Sequence, residues 1–452
     1  MKEIRCDVLV IGGGPAGGVA AITAKEHHPD KRVLLIRKEE KQLVPCAIPY
    51  IFGDILGSSE KDVMSCAPVE KSGVETMVGE VLHIDKEAKR ATTRDAVIFF
   101  DKLVIATGSV PFVHPSMKDA TKIEGVFTVP KEKETIDRLK AYAETRERIA
   151  IVGSGFIGLE IGLEFAKSGK NVTLIDGVDH VLNTAFDKEL AAEAEKLAEE
   201  AGVTLELGEF VDEVLEKNGR VSGVKLRNGK VIESEMVILA TGYKPNTELA
   251  ERSDIQLTCY GAIWVDEYMR TQNHDIFAVG DCAARRDFIT REYSRVMLAS
   301  TSAAEARAAG TSLYKLKYIK GFNGTIAIFS TVVMDRAFAS AGVTEMQARE
   351  QKLDIVTGTF TGMNRHPATI PDATRQSVKL IAMNHSGRII GGQIVGGPEV
   401  GELINIVGLI IEAKITIYTL LSLQVATHPL LTAAPTAYPI VKAAESIAKK
   451  ME

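Results

Sequence analysis

Asp7-Val8-Leu9-Val10-Ile11-Gly12-Gly13-Gly14-Pro15-Ala16-Gly17 and Arg148-Ile149-Ala150-Ile151-Val152-Gly153-Ser154-Gly155-Phe156-Ile157-Gly158 are two versions of one pattern. Each is a short apolar run ending in G-x-G-x-x-G and opening into helix-forming residues. In such a turn the first glycine permits the tight bend, and the second lets backbone N–H groups approach a pyrophosphate. The third lets the helix pack close to the strand, so that the phosphate sits at the positive helix N-terminus. Both copies continue into a second apolar run, Arg32 to Ile36 in the first and Asn171 to Ile175 in the second. Each also closes on an apolar strand ending in Ala-Thr-Gly, at Ala106-Thr107-Gly108 and Ala240-Thr241-Gly242. A strand before and a helix after each glycine turn is the context that separates a dinucleotide site from a glycine-rich loop. The repeat predicts an α/β fold with two tandem Rossmann-like dinucleotide-binding domains.

Composition narrows the classes. The 452 residues suffice for about three domains. Hydrophobic residues are 45% and charged residues 25% of the chain, as in a soluble protein with a real core. With 54 basic and 60 acidic side chains the net charge is −6, which gives no electrostatic case for nucleic acid or an anionic membrane. Five scattered cysteines argue against a secreted disulfide framework and for a reducing cytoplasm. The first apolar stretch, Val8 to Ile11, runs straight into the glycine turn and is no signal-peptide core. The longest, Leu403 to Leu423, is interrupted by Asn405, Glu412 and Lys414 and reads as a buried helix plus a strand, too polar to span a bilayer. No metal-ligand spacing is visible.

Two dinucleotides in one chain suggest a flavin in one site and a nicotinamide in the other, with electrons passing between them. In a fingerprint of this type an acid about 20 residues on bonds the ribose 2′-hydroxyl. In the second copy this is Asp176, whose carboxylate repels a 2′-phosphate and so favours NADH over NADPH. In the first copy Ile36-Arg37-Lys38-Glu39 puts Arg37 where the acid is expected. Either Glu39 or Glu40 takes over, or that ribose is held differently; Lys38 and Glu40 also read as solvated surface charges.

Between the first fingerprint and its Ala-Thr-Gly lies Leu43-Val44-Pro45-Cys46-Ala47-Ile48-Pro49-Tyr50. This segment, the tandem fingerprints, Ile276-Phe277-Ala278-Val279-Gly280-Asp281-Cys282 and the residues from 325 onward resemble the flavin-dependent pyridine nucleotide-disulfide oxidoreductases. More narrowly, the chain resembles their single-cysteine branch of coenzyme A-disulfide reductases, persulfide reductases and NADH oxidases. The resemblance implies FAD in the first copy, on Gly12, Gly14, Pro15, Ala16, Gly17, Arg37, Lys38, Ala106, Thr107, Gly108 and Gly280, with Asp281 at the ribityl or phosphate region. It implies NADH in the second copy, on Gly153, Gly155, Phe156, Ile157, Gly158, Asp176 and Gly242, with Glu160 near the nicotinamide and Phe156 gating it. The implied map is a discontinuous FAD domain over 1–111 and 245–324, an NAD(H) domain over 112–244, and a C-terminal α+β dimerisation domain over 325–452. In the last, strands Ser377 to Met383 and Arg388 to Val395 precede a helix from Pro398 to Ala413, and the domain builds each active site across a homodimer.

Five residues past Cys46, where two-cysteine relatives carry the second thiol, stands Ile51. A lone thiol stores oxidation as a mixed disulfide, a persulfide or a sulfenic acid. The implied cycle passes electrons from NADH through flavin to oxidised Cys46, whose thiolate then attacks the next sulfur substrate. Cys46 is expected to open a short helix whose dipole lowers the thiol pKa. Cys6, Cys66, Cys259 and Cys282 read as small hydrophobes. Pro15 and Ala16 stand where NADH peroxidases carry a histidine, which counts against peroxide. Lys25-Glu26 supplies half of the positive charge typical of coenzyme A-disulfide reductases on the first helix, so coenzyme A remains open as substrate or adduct. Ala426-Thr427-His428-Pro429 resembles the C-terminal His-Pro of two-cysteine reductases, where the partner subunit's histidine protonates the leaving thiolate. Tyr438 is a second donor candidate. Arg285, Arg286 and Arg291 read as a solvated basic face, His366-Pro367 as a loop feature, and Lys188 to Glu200 as an exposed helix face. The expected function is NADH-dependent reduction of a small-molecule sulfur substrate: a persulfide, a polysulfide or a low-molecular-weight disulfide. The alternatives are an NADH oxidase passing electrons from flavin to O₂, and a flavin redox sensor or electron-transfer protein.

Overall fold

A computed structural model describes residues 1–317 and 322–451; residues 318–321, inside the expected 245–324 segment, and residue 452 lie outside the described residues. The first fingerprint sits in a five-stranded parallel sheet ordered Ile276–Ala278, Lys102–Ile105, Val8–Ile11, Val33–Arg37, Glu75–Val78. Its central strand Val8–Ile11 is buried throughout, as a parallel strand covered on both faces must be. Helix Pro15–His27 begins with proline at its first position, where the missing N–H costs nothing. It packs along helix Ala299–Ser312 so closely that a Cβ on Gly310 would meet Thr23 Cβ at 2.8 Å and Ala20 O at 2.9 Å.

The second fingerprint has the matching sheet, again parallel: Val126–Thr128, Met236–Leu239, Arg148–Val152, Asn171–Asp176, Val203–Leu207. Helix Phe156–Lys167 follows its glycine turn. A two-stranded ribbon, Ser109–Pro111 against Tyr243–Pro245, joins the units. The C-terminal unit is a five-stranded antiparallel sheet, Phe329–Val333, Arg336–Gly342, Ile389–Gly396, Arg375–Met383, Ile355–Met363. Helices Val400–Glu412 and Pro439–Ala448 cover it through Ile404, Val407, Ile411, Ile440 and Ile447. The fold class is therefore the expected one: two Rossmann-like units and a C-terminal α+β unit.

The apolar region Leu403 to Leu423 departs from expectation, because its second part is the short helix Ile417–Leu421 and not a strand. Lys414 turns the chain at φ 57°. Thr416 then contributes only a single bridge to Arg388 before Ile417 and Leu420, three apart, bury on one helical face. Among the described residues no helix is long and apolar enough to cross a membrane.

Candidate active site

The two glycine turns are near-copies in space. Gly12 and Gly153 hold φ of 114° and 112°, a region that side chains avoid. A Cβ on either would overlap the carbonyl oxygen of Ala106 or Ala240, so each Ala-Thr-Gly strand end is the surface its turn is pressed against. A Cβ on Gly17 would overlap Gly12 O, and one on Gly158 would overlap Gly153 O. Gly14 and Gly155 instead face open space, and as helix N-caps they offer no side chain to the first helical N–H groups. Those donors are free for an anion. Each copy is thus a cradle open only at its middle glycine, which fits a dinucleotide pyrophosphate.

Around the first cradle, Ala16 packs against Gly280, where a Cβ would meet Ala16 Cβ at 2.8 Å. Thr107 donates its hydroxyl to Asn246 O (2.6 Å), and Asn246 N donates to Gly108 O (2.9 Å). Arg37 donates Nη1 to Glu40 O at 2.6 Å, while its buried Nε has no partner, a spare donor beside the cradle. Lys38 is exposed and paired with Glu80 at 3.1 Å. Around the second cradle, Asp176 accepts from Ser154 N (2.6 Å) and Ser154 Oγ (2.9 Å), which locks the carboxylate against the turn. Gly242 O accepts from Phe112 N, the residue just past the interdomain ribbon.

Asp281 accepts from Ser109 Oγ at 2.8 Å and Lys131 Nζ at 3.0 Å. Burial opposes its charge, yet Lys131, Arg285 and Ser109 together hold its carboxyl below the usual range. Arg285 corrects the reading of a solvated face: it is buried, pairs through Nε with Glu305 Oε1 at 3.2 Å, and donates Nη2 to Gly280 O. Glu305 Oε2 accepts from Gly280 N at 2.8 Å. Burial pushes the Glu305 carboxyl up to about 7 against the pull of Arg285. Arg286 and Arg291 do stay at the surface, Arg286 lying 4.6 Å over the Tyr293 ring.

Cys46 is the second residue of a 3₁₀ turn, Pro45–Ile51. The turn is tied by Val44 N to Asp62 O at 3.0 Å and anchored by buried Ile48 and Ile51. It rests on helix Phe156–Lys167: Phe52 meets Phe165 at 5.3 Å, and Gly53 lies against Glu164, whose carboxylate a Cβ there would strike. Cys46 is exposed, and all five cysteines are free. Cys6 and Cys282 are buried as expected of small hydrophobes, whereas Cys66 is half-buried and Cys259 exposed. The expected lowering of the Cys46 thiol is reversed. Desolvation by the surrounding protein raises its pKa, Glu160, Asp281 and Asp62 add to the rise, and Lys131 opposes them. A seven-residue 3₁₀ turn interrupted by Pro49 has too little aligned dipole to outweigh that desolvation and the three acids.

Glu160, on the second fingerprint helix, accepts from Thr331 Oγ1 of the C-terminal sheet at 2.6 Å. Burial pushes its carboxyl up to about 7, with Glu164 adding and Thr331 opposing. Four residues earlier Phe156 stacks on Phe329 at 5.2 Å and 13°. Lys131, Thr331 and Glu305 belong to this constellation and were invisible in the sequence, where none lies in a motif.

The C-terminal candidates stand apart. His428 is exposed; its Nδ1 accepts from Leu430 N at 3.2 Å, and its N donates to Thr432 Oγ1 at 3.0 Å. Tyr438 is half-buried at the start of helix Pro439–Ala448, and burial raises its phenol. His366 is a loop feature, with Nδ1 3.0 Å from Thr432 O. Lys25 donates to Pro29 O (2.9 Å) and Lys31 O (2.8 Å), so its ammonium is spent closing the end of its own helix. Asp187, Glu189 and Glu345 converge as a metal site would. Lys379 Nζ already sits among them, 2.9 Å from Asp187 and 2.8 Å from Glu345, and supplies the cation.

Residues 6–306 match the family described as pyridine nucleotide-disulphide oxidoreductase, and residues 328–438 match its dimerisation domain. The chain is 30% identical over 424 residues to an NADH oxidase of Enterococcus faecalis, covering 91% of this chain and 92% of that one. It is 32% identical over 405 residues to an NAD(P)H coenzyme A polysulfide/persulfide reductase of Pyrococcus horikoshii, covering 87% and 88%. Among solved structures, an NAD-dependent persulfide reductase from A. fulgidus superposes with a TM-score of 0.89 at 30% identity, over 98% of this chain and 83% of that one. A water-forming NADH oxidase from Lactobacillus brevis bound to NADH gives 0.88 at 26% identity, over 98% of both chains.

Proposed function

Since the chain belongs to the pyridine nucleotide-disulphide oxidoreductase family, we propose that it is an NADH-dependent FAD flavoprotein that reduces a persulfide, polysulfide or low-molecular-weight disulfide at Cys46. The observation that carries this reading is one exposed free thiol on a turn seated against the second fingerprint helix, with Ile51 where a partner cysteine would stand. We assign 1–111 with 245–324 to FAD, 112–244 to NADH and 325–452 to the dimer interface. When bound, the flavin supplies a two-electron relay between nicotinamide and sulfur. The N–H groups at Gly14 and Gly155 hold the two pyrophosphates. Lys131 keeps Asp281 charged to accept hydroxyl groups of the first cofactor, and Asp176 accepts from the NADH ribose.

On the sulfur side, the Cys46 thiolate takes the outer sulfur of RSSH, and RSH leaves with the proton. Two electrons from NADH then return the thiolate and release HS⁻, so the balance is RSSH + NADH → RSH + HS⁻ + NAD⁺. His428 of the second protomer is assigned as the proton donor for a disulfide's leaving thiolate, with Tyr438 the next candidate. This places one active site across the homodimer. Lys25 is occupied at the end of its own helix, and coenzyme A stays open as substrate or adduct. The reaction fits a reducing cytoplasm.

The raised Cys46 thiol and the Enterococcus faecalis relative favour a second reading, NADH oxidation by O₂ at the flavin. Replacing Cys46 with Ser separates the two. Polysulfide-dependent NADH oxidation is expected to vanish while O₂-dependent oxidation persists; sulfur turnover that survives the change rules the thiol mechanism out.

A further inference from the structure

Beside the second cradle lies an aromatic side chain that no part of the cycle uses. Phe210 is 52% exposed. Its position is not loose. Strand Val203–Leu207 runs alongside Asn171–Asp176 with Leu207 opposite Asp176. Past the strand end, Gly208 N donates to Val178 O at 2.7 Å and Glu209 N donates to Asp176 O at 3.0 Å. The next residue, Phe210, therefore lies over Gly177, the neighbour of the ribose-binding acid. The fit is close enough that any Cβ on Gly177 would run into the Phe210 ring. On the ring sits the guanidinium of Arg227, 4.8 Å from the centroid, while Arg227 N donates to Phe210 O at 2.9 Å. Arg227 is itself exposed.

We propose that Phe210, seated on Gly177 and braced by Arg227, is the stacking surface for the adenine ring of the nicotinamide dinucleotide. The inference rests on the assignment of NADH to the second fingerprint. A dinucleotide whose pyrophosphate lies at Gly155 and whose adenosine ribose reaches Asp176 has its base just beyond residue 176, where this ring is exposed. A base gains stacking attraction on an aromatic face, and the Arg227 guanidinium adds a planar cation to the same platform. Gly177 is a glycine because the ring occupies the space of a side chain there. The arrangement also puts a cost on side chains at 177 that would reach for a 2′-phosphate, since they must first displace Phe210.

The test is calorimetric binding of ADP-ribose to the FAD-loaded protein, with reduced nicotinamide mononucleotide, which lacks adenine, as the control substrate for flavin reduction. Phe210→Ala is expected to weaken ADP-ribose about tenfold or more and Phe210→Trp to keep it. Arg227→Ala should fall between them and Arg227→Lys near the parent. Gly177→Ala, which pushes a methyl into the ring, should reproduce the loss seen with Phe210→Ala. Reduction by the mononucleotide should be the same in all variants, which separates a lost stacking surface from a distorted domain. If Phe210→Ala binds ADP-ribose like the parent, the proposal is overturned. If the parent protein itself fails to bind ADP-ribose in competition with NADH, the site assignment beneath the proposal fails instead.

Discussion

Glu160 sits with its carboxyl pushed up to about 7 by burial, held by one hydroxyl from another domain. An acid raised in the folded state makes the folded chain bind more protons than the unfolded one between the two pKa values. Its stabilising effect is complete below the ordinary value of 4.5 and is lost as pH climbs to about 7. Glu305, also near 7, and Asp62, near 6, act with the same sign. The nucleotide-free protein should therefore melt at falling temperature from pH 5 to pH 8. Glu160→Gln should shrink that fall, chiefly by stabilising the protein at pH 8; an unchanged slope in a thermal melting series would contradict the assignment of Glu160. At this scale the sequence was legible where chemistry is local. Gly12, Gly153 and Asp176 stand in the places their motif requires. Arg285 was misread because what buries it, Glu305, lies on a helix of small residues with no pattern marking its inner face. The position of Cys46 was legible, but the direction of its thiol shift depends on desolvation and then on Glu160, Asp281 and Asp62, which only the fold gathers.

The second fingerprint helix shows how differently two glycines of one motif behave. Gly155 opens to free space and Gly158 lies against Gly153 O. Gly155→Ala is expected to leave the melting temperature near that of the parent while a methyl in the phosphate seat cuts NADH affinity at least tenfold, or about 1.4 kcal/mol. Gly158→Ala must push the helix off its strand, so both melting temperature and affinity should fall. Melting curves beside NADH titrations read the contrast, and equal behaviour of the two variants would refute it. Parallel strands and glycine turns are legible because burial on both faces leaves continuous apolar runs. The stretch after Glu412 was not, since Ile417 and Leu420 satisfy a helix as well as a strand when so few residues are involved. The bond from Thr331 to Glu160 spans 171 positions and leaves no local trace.

Helix Val400–Glu412 is apolar on both sides: Ile404, Val407 and Ile411 face the C-terminal sheet, while Ile406 and Leu409 face outward, Leu409 at 62% exposure. Leu430 and Leu431 are exposed as well, at 59% and 67%, in the loop that carries His428. Outward leucines of this number in a region matching a dimerisation domain are the expected contact between protomers. Leu409→Glu should convert dimer to monomer in sedimentation and reduce sulfur turnover, with ADP-ribose binding retained. A variant that stays dimeric would place the interface elsewhere.

Helix Phe156–Lys167 touches three regions at once: its first turn faces the open space at Gly155 proposed to seat the phosphate, Phe165 and Glu164 bear on the Cys46 turn, and Glu160 reaches Thr331 in the C-terminal sheet. Binding free energies that share a strut are reciprocal. If subunit association changes nucleotide affinity through Thr331, bound nucleotide changes subunit association by the same factor, and dilution and coenzyme starvation are then expected to loosen the enzyme together.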